Sequence, residues 1–404
     1  IINCVLGEGS TVTGQINTGG ITGYSEQTLK SDINRGIVEG TNTNTGGIVG
    51  SMDLEGDALY GCVNKGTVKG KLKTGGVVGY IAASSATINI EKCSSSGKVS
   101  SSYDYAGGVA GLVDGSSYGV NIKDCNNTGE LSGEGSNGGV IGYASGHRTR
   151  ISECYNAGEI NGKNSGGIVG NNEGDIEKCY NKGKIVATSE AGGIVAYQNT
   201  GDGYIQKCYN DGSVTANSNA GGIAGLSKDK IFNSYNTGTI KATDTAGGLV
   251  GLNYGSIQRS YNAGEVKGTN GIGSLTGRNR AKLTNCFWLL GTCDTDIGYE
   301  DSGSSKSIVM VLSKEQLSGQ LKVKLDNGFQ LLTNYLNGKD SSNTWEYTYK
   351  VEQAASGESW AVISDGGGIV PPLSVSTTDE KGNIISASDL KSAYIYPGLI
   401  DLKR

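Results

Sequence analysis

Gly166-Gly167-Ile168-Val169-Gly170, followed by Ile176-Glu177-Lys178-Cys179-Tyr180-Asn181-Lys182-Gly183-Lys184-Ile185, is the clearest copy of a phrase that recurs from residue 1 to about residue 286. The Cys of this phrase marks a slot filled by Cys4, Asp32, Cys62, Cys93, Cys125, Cys154, Cys179, Cys208, Ser234, Ser260 and Cys286, at steps of 25 to 32 residues. Self-similarity at such a period is the signature of a solenoid. Stacked repeats spend their best-specified positions on the core, so most recurring residues are expected to be architecture rather than chemistry.

The unit is too short for helix pairs and holds no long stretch of 3.6-residue periodicity. It has three short Ile- and Val-rich stretches separated by Gly, Asn and Ser turns, which read as strands. Three strands per unit, each pairing with its copy in the next unit, give an all-β, parallel β-helix of ten to eleven rungs. At the usual strand spacing it would be roughly 50 Å long. Connection handedness favours a right-handed coil. A polar loop of variable length is expected before each Gly pair, where it only lengthens a surface excursion.

Two residues after the slot stands Asn in eight of eleven copies, including Asn156, Asn181, Asn210, Asn236 and Asn262. Stacked Asn side chains can hydrogen-bond rung to rung at a bend. The Gly two residues further on, as at Gly183, is expected to take a positive φ. The Gly pairs let the backbone cross a corner too narrow for a side chain.

The phrase Gly-Gly-(Ile/Val/Leu)-(Val/Ala/Ile)-Gly, then Ile-x-x-Cys-Tyr-Asn-x-Gly-x-(Ile/Val), resembles the GLUG-motif repeats of bacterial secreted and cell-surface proteins. Such repeats also occur in the non-catalytic region of immunoglobulin A1 protease-like proteins. The resemblance covers roughly residues 1–300. It departs at Asp32, Ser234 and Ser260 in the slot, at Ser274 in the Gly pair, and at Phe287-Trp288 where Tyr-Asn should stand. It implies a repeat module outside the cell or on the surface of a bacterium.

Composition narrows the function classes. Of 404 residues 68 are Gly and only 3 Pro, and the Gly spacing is not every third residue, which excludes collagen. Net charge is −5 without a block of one sign, so nothing points to nucleic acid or an anionic membrane surface. No 18-residue apolar run exists for membrane insertion. The first residues already belong to a repeat, so the chain reads as a fragment or mature form of a larger protein. The expected organisation is a β-helix over 1–290, a small mixed cap with a short helix over 291–373, and a tail or the start of a following module over 374–404. The helix would begin at the capping box Ser313-Lys314-Glu315-Gln316 and carry Leu325, Phe329, Leu332 and Leu336.

Candidate chemistry is sparse. Cys154, Cys179 and Cys208 represent a ladder expected to hold free, buried thiols as small apolar fillers. In-register parallel side chains point the same way, which disfavours disulfides, and a straight line of single ligands is a poor metal cage. The single His147 lies in a surface-loop sequence and offers no zinc motif or triad. Glu130, Glu159 and Glu265 share one outward position with Lys98, Lys184 and Thr239, which reads as a mixed solvated face. Asp294, Asp296, Glu300 and Asp301 cluster without the spacing of a calcium loop. Tyr155, Tyr180, Tyr209, Tyr235 and Tyr261 follow the slot, and Tyr24, Tyr80, Tyr143 and Tyr197 follow the Gly pairs. Such stacked rows, the first above all, are a possible binding platform for sugars or protein, with a sheet-stiffening ladder as the plainer reading.

The expected function is therefore a non-catalytic extracellular stalk or adhesion module. It would be monomeric, would take no cofactor, and would bind an unidentified host protein or glycan. The alternatives are the substrate-binding arm of an immunoglobulin A1 protease-like peptidase and a carbohydrate-active β-helix enzyme with paired carboxylates.

Overall fold

The structure, a computed structural model, describes residues 1–53, 56–199, 202–313 and 317, and the strands Val323–Leu325, Gly328–Gln330, Thr348–Gln353 and Ser359–Ser364. The chain divides into two units: Ile1–Cys286 with Gly291–Val309, and Phe287–Leu290 with Met310–Arg404.

The first unit is a parallel β-solenoid. One turn runs through the strands Asp175–Glu177, Tyr180–Asn181, Ile185–Ala187, Ala191–Gly192 and Val195–Gln198. The first two lie in one sheet, the next two in a second, and the last in a third. Each pairs in parallel with its copy a turn later: Ile176 with Ile205, Tyr180 with Tyr209, Ile185 with Val214, Gly192 with Gly221, and Val195 with Ala224. The third sheet has eleven strands among the described residues, from Thr22–Ser25 to Ile297–Glu300. The solenoid thus runs past the expected boundary at 290, because Ile297 still pairs with Thr276.

Stacking puts like side chains over like. Ile176, Ile205, Ile231 and Ile257 are fully buried from the first sheet, and Ile185, Val214 and Ile240 from the second. Each contributes about 1.5–3 kcal/mol by leaving water, and no unit could bury its own row alone.

The bend at the slot has a fixed geometry. The residue before it is left-handed in every turn, from Asn3 (φ +58°) through Lys178 (+54°), Lys207 (+54°) and Asn233 (+52°) to Asn285 (+54°), with Gly61 (+64°) in the third turn. Left-handed backbone costs a non-Gly residue roughly 1–2 kcal/mol, so the surrounding bonds must hold it.

Two expectations are corrected here. Gly183 is not among the left-handed residues. It is Gly because a Cβ there would sit 2.0 Å from the Gly158 carbonyl oxygen and 2.5 Å from Asn156 Nδ2. The loop before the Gly pair is also not where most length variation falls. Slot to Gly pair spans 12 residues (Cys154 to Gly166) to 15 (Cys4 to Gly19), whereas Gly pair to next slot spans 13 (Gly166 to Cys179) to 18 (Gly75 to Cys93). The larger insertions leave the corner after the third sheet. The Gly pair is a tight crossing: a Cβ on Gly166 would meet the Val169 carbonyl oxygen at 1.9 Å, and one on Gly167 the Gly193 oxygen at 2.0 Å.

In the second unit Val323–Leu325 pairs antiparallel with Gly328–Gln330, and Thr348–Gln353 with Ser359–Ser364. Leu325 and Phe329 therefore stand in strands, not in the expected helix. Of the capping box, the Leu317 N–H donates to the Ser313 carbonyl at 2.9 Å. Lys314–Gln316, Leu332, Leu336 and the tail 374–404 lie outside the described residues.

Candidate functional site

The slot holds free, buried thiols as expected, apart from the exposed Cys4, and it is also a hydrogen-bonding device, which a purely apolar filler is not. The Cys179 N–H donates to Cys208 Sγ (3.4 Å), the Cys208 N–H to Ser234 Oγ (3.2 Å), and the Ser234 N–H to Ser260 Oγ (3.2 Å). In the first turn the Cys4 N–H donates to Asp32 Oδ1 (2.7 Å). The slot side chain also donates across the left-handed bend to the carbonyl two residues back. Cys154, Cys179 and Cys208 do so at 3.2 Å, Ser234 at 3.0 Å and Ser260 at 2.8 Å. A short side chain with an acceptor one or two atoms beyond Cβ can take the N–H of the rung below, which is why Cys, Ser and Asp exchange. The nine cysteines are free thiols. Burial pushes Cys125 and Cys179 far above the ordinary thiol range and Cys286 up to about 12, which leaves them protonated and unreactive.

The Asn row is a continuous amide ladder in the middle turns. Asn127 Nδ2 donates to Asn156 Oδ1 (2.9 Å), Asn156 to Asn181 (2.8 Å), Asn181 to Asn210 (2.8 Å), Asn210 to Asn236 (2.7 Å) and Asn236 to Asn262 (2.8 Å). Each amide of Asn156, Asn181 and Asn262 also closes its own turn onto the Gly two residues on.

The tyrosines after the slot stack at 5.0–5.1 Å between centroids, with interplanar angles of 2–6°. Tyr209, Tyr235 and Tyr261 are buried, and Tyr155 and Tyr180 half-buried. The row is therefore a ladder whose ring faces cover one another, not an open platform. Burial drives the Tyr180 phenol up to about 12 and Tyr209 higher still.

The other candidates resolve into ion pairs and loops. Glu130 pairs with Lys98 (3.0 Å), Glu159 with Lys184 (2.9 Å) and Glu265 with Lys267 (2.8 Å), all exposed. Asp301 receives Arg278 (2.6 Å) and Arg280 (2.5 Å), which hold its carboxyl down to about 2. Asp296 and Glu300 share Lys306 at 3.2 and 3.4 Å. No group of three His, Cys, Asp or Glu able to hold a metal is found among the described residues. His147 is exposed beside Gly146.

One cluster falls outside these ladders, on the outward side of the third sheet and the loop that precedes it. The Lys73 ammonium lies over the Tyr80 ring, 3.7 Å from its centroid. Tyr105 packs on Tyr143 at 5.1 Å with rings tilted by 46°. Tyr143 donates its hydroxyl to Glu173 (2.6 Å), whose other oxygen accepts the Gly146 N–H (2.9 Å). Asp104 and Asp114 act on Lys73, and Asp114 and Asp53 on Tyr80. Desolvation leads every shift here: it lowers Lys73 and raises Asp104, Tyr80, Tyr105 and Tyr143. Grouped perturbed side chains of this kind mark functional surfaces more often than chance. The tyrosines were visible in the sequence after the Gly pairs. Lys73, Asp104 and Asp114 carried no repeating signal.

The sequence signature of the GLUG motif matches residues 161–186, which hold one Gly pair, Cys179 and Asn181. The chain thus carries the GLUG motif in a β-solenoid. Among solved structures it is similar to a Bacteroides ovatus protein provisionally named an immunoglobulin A1 protease. The two are 20% identical over 70% of this chain and 86% of that chain, with a TM-score of 0.36. No curated protein matches.

Proposed function

We propose that this GLUG-motif β-solenoid is a non-catalytic binding module of a larger bacterial protein, displayed outside the cell. What carries the reading is the use of its chemistry-bearing residues. The recurring Cys, Asn and Tyr are engaged rung to rung, and the outward carboxylates Glu130, Glu159 and Glu265 are each paired with Lys. A catalytic pair of carboxylates needs one raised acid and one free base, and ion pairing serves neither role. The Lys73–Tyr80–Asp104–Tyr105–Asp114–Tyr143–Glu173 cluster then supplies the contact surface. Rung-to-rung hydrogen bonding through the turns from Asn127 to Asn262 suits a stiff spacer that holds such a surface away from its anchor.

The test is to present the purified chain to immobilised glycans and host glycoproteins while following bond cleavage by mass spectrometry. The expected result is saturable retention of an unchanged ligand. Cleavage that disappears in Glu173→Gln would overturn the proposal. Protease shaving of intact source cells should release solenoid fragments, and full protection would contradict display.

A further inference from the structure

Side chains of the third sheet that point outward at one register form a row with a second period. Strand pairing aligns Tyr24, Ser51, Tyr80, Leu112, Tyr143, Asn171, Tyr197, Leu226, Leu252, Arg278 and Tyr299, one per turn. Tyr stands in turns one, three, five, seven and eleven. Turn nine has Leu252. The solenoid therefore repeats its core every turn but its tyrosines every second turn, and core packing imposes no such alternation on an outward row.

The row is not closed over itself. Ladder tyrosines after the slot meet at 5.0 Å, but the third-sheet tyrosines are two strand spacings apart, about 9.6 Å, so no ring of the row covers the next. Their neighbours are Lys73 over Tyr80 (3.7 Å), Tyr105 against Tyr143 (5.1 Å) and Lys228 over Tyr197 (5.4 Å). Tyr24 and Tyr299 are 48% and 49% exposed, and Tyr80, Tyr143 and Tyr197 are half-buried. The interleaved positions are Ser51, Leu112, Asn171 and Leu226, of which Leu112 and Leu226 sit nearly flush at 9% and 8%. The result is a shallow track of mixed floor with an aromatic ring at alternate turns.

The rim of the track is rich in acceptors. Asp53, Asp104, Asp114 and Glu173 surround Tyr80 and Tyr143, against Lys73 over Tyr80 and Lys228 over Tyr197. Ionised carboxylates only accept hydrogen bonds, so the occupant must bring donors. Excess negative charge repels nucleic acid, uronic-acid chains and sulfated glycans.

We propose that this track binds a linear, neutral, β-linked glycan in an extended conformation, with sugar rings against Tyr80, Tyr143 and Tyr197. The strand spacing of about 4.8 Å is close to the advance per sugar in such a chain, so alternate sugars meet alternate tyrosines. Aromatic rings cover the C–H faces of sugars, and the hydroxyls supply the donors that the carboxylates lack. A polyproline helix also advances about 9.3 Å per three residues, but it has no N–H to donate to this rim. The proposal rests on the binding-module reading and gives its ligand a class.

The test is isothermal titration of the purified chain with neutral β-1,4-linked oligosaccharides of glucose, mannose and xylose, from two to eight sugars. Polyproline and a β-1,4-linked polyuronate serve as comparators. Affinity for at least one neutral series should rise with length to about five sugars, the span from Tyr80 to Tyr197, and then level off. Tyr143→Ala should weaken it at least tenfold in a chain that still unfolds cooperatively, whereas Tyr103→Ala, an exposed tyrosine outside the row, should leave it unchanged. Absence of binding by all three neutral series, affinity independent of length, or full affinity in folded Tyr143→Ala would overturn the proposal. Binding of polyproline alone would overturn it while leaving the module reading intact. Turnover of a bound glycan would strike the module reading instead.

Discussion

The backbone N–H of Cys179 donates to Sγ of Cys208 in the next turn at 3.4 Å, and that thiol in turn donates to the Gln206 carbonyl at 3.2 Å. One side chain thereby ties two turns together and locks the left-handed residue Lys207 between them. Cysteine is conspicuous in this sequence because it is repeated, yet the geometry asks only for a short side chain that accepts from the neighbouring turn, and Cys and Ser also donate across the bend.

Thiol chemistry should reflect this. Cys4 is exposed and Cys293 partly so, while Cys62, Cys93, Cys125, Cys154, Cys179, Cys208 and Cys286 are buried. Native protein titrated with a thiol reagent should react fast at Cys4, more slowly at Cys293, and at the other seven only through unfolding. In denaturant without reductant all nine should react. A shortfall in denaturant would mean disulfides.

The Asn ladder predicts an order of substitutions. Asn181 donates to Asn210 and Gly183 and accepts from Asn156 and the Gly183 N–H, using its amide on both sides. Ser95 occupies the equivalent position and accepts from Asn64 at 3.2 Å. Asn181→Ser should therefore be mildest. Asn181→Ala should cost about 2–4 kcal/mol by leaving buried partners unmet. Asn181→Asp should cost most, since it buries a charge that cannot donate. Urea unfolding of the three variants checks the order, and Asp milder than Ala would contradict it.

Acid stability should depend on Asp301. Arg278 and Arg280 lower its carboxyl from 3.8 to about 2 in the folded chain. A depressed folded value contributes stability above the unfolded value that is lost as pH falls between about 4 and 2. Denaturation midpoints of wild type should drop across that window by more than those of Asp301→Asn. Parallel pH profiles would show that the clamp contributes nothing.

The strand pattern, the slot, the Asn ladder and the tight Gly crossings were legible because each repeats, and repetition exposes a physical demand that a single copy hides. Local conformation was less legible. Lys178 and Lys207 are unremarkable residues for a left-handed bend, and nothing in their type announces φ near +54°. Gly183 suggested a positive φ, but its neighbour in space, the Gly158 carbonyl 25 residues away, is what forbids a Cβ. The slot tyrosines read equally well as ladder or platform, and only the burial of Tyr209, Tyr235 and Tyr261 decides. Lys73, Asp104 and Asp114 of the third-sheet cluster were invisible because they come from different turns and do not recur. The tyrosines of the third sheet were legible as a set after the Gly pairs, but their two-turn period emerges only from the strand register, since Tyr299 follows no Gly pair.

The claim at the centre of this account is that Cys, Ser and Asp in the slot are one hydrogen-bonding device and not a core filler. Equilibrium urea unfolding of Cys179→Ser and Cys179→Ala tests it most directly. The device predicts that Ser stays within about 1 kcal/mol of wild type, while Ala loses about 1–3 kcal/mol because the Glu177 carbonyl across the left-handed bend loses its donor. If Ala matches or exceeds Ser, the slot is an apolar filler after all, and the account is wrong.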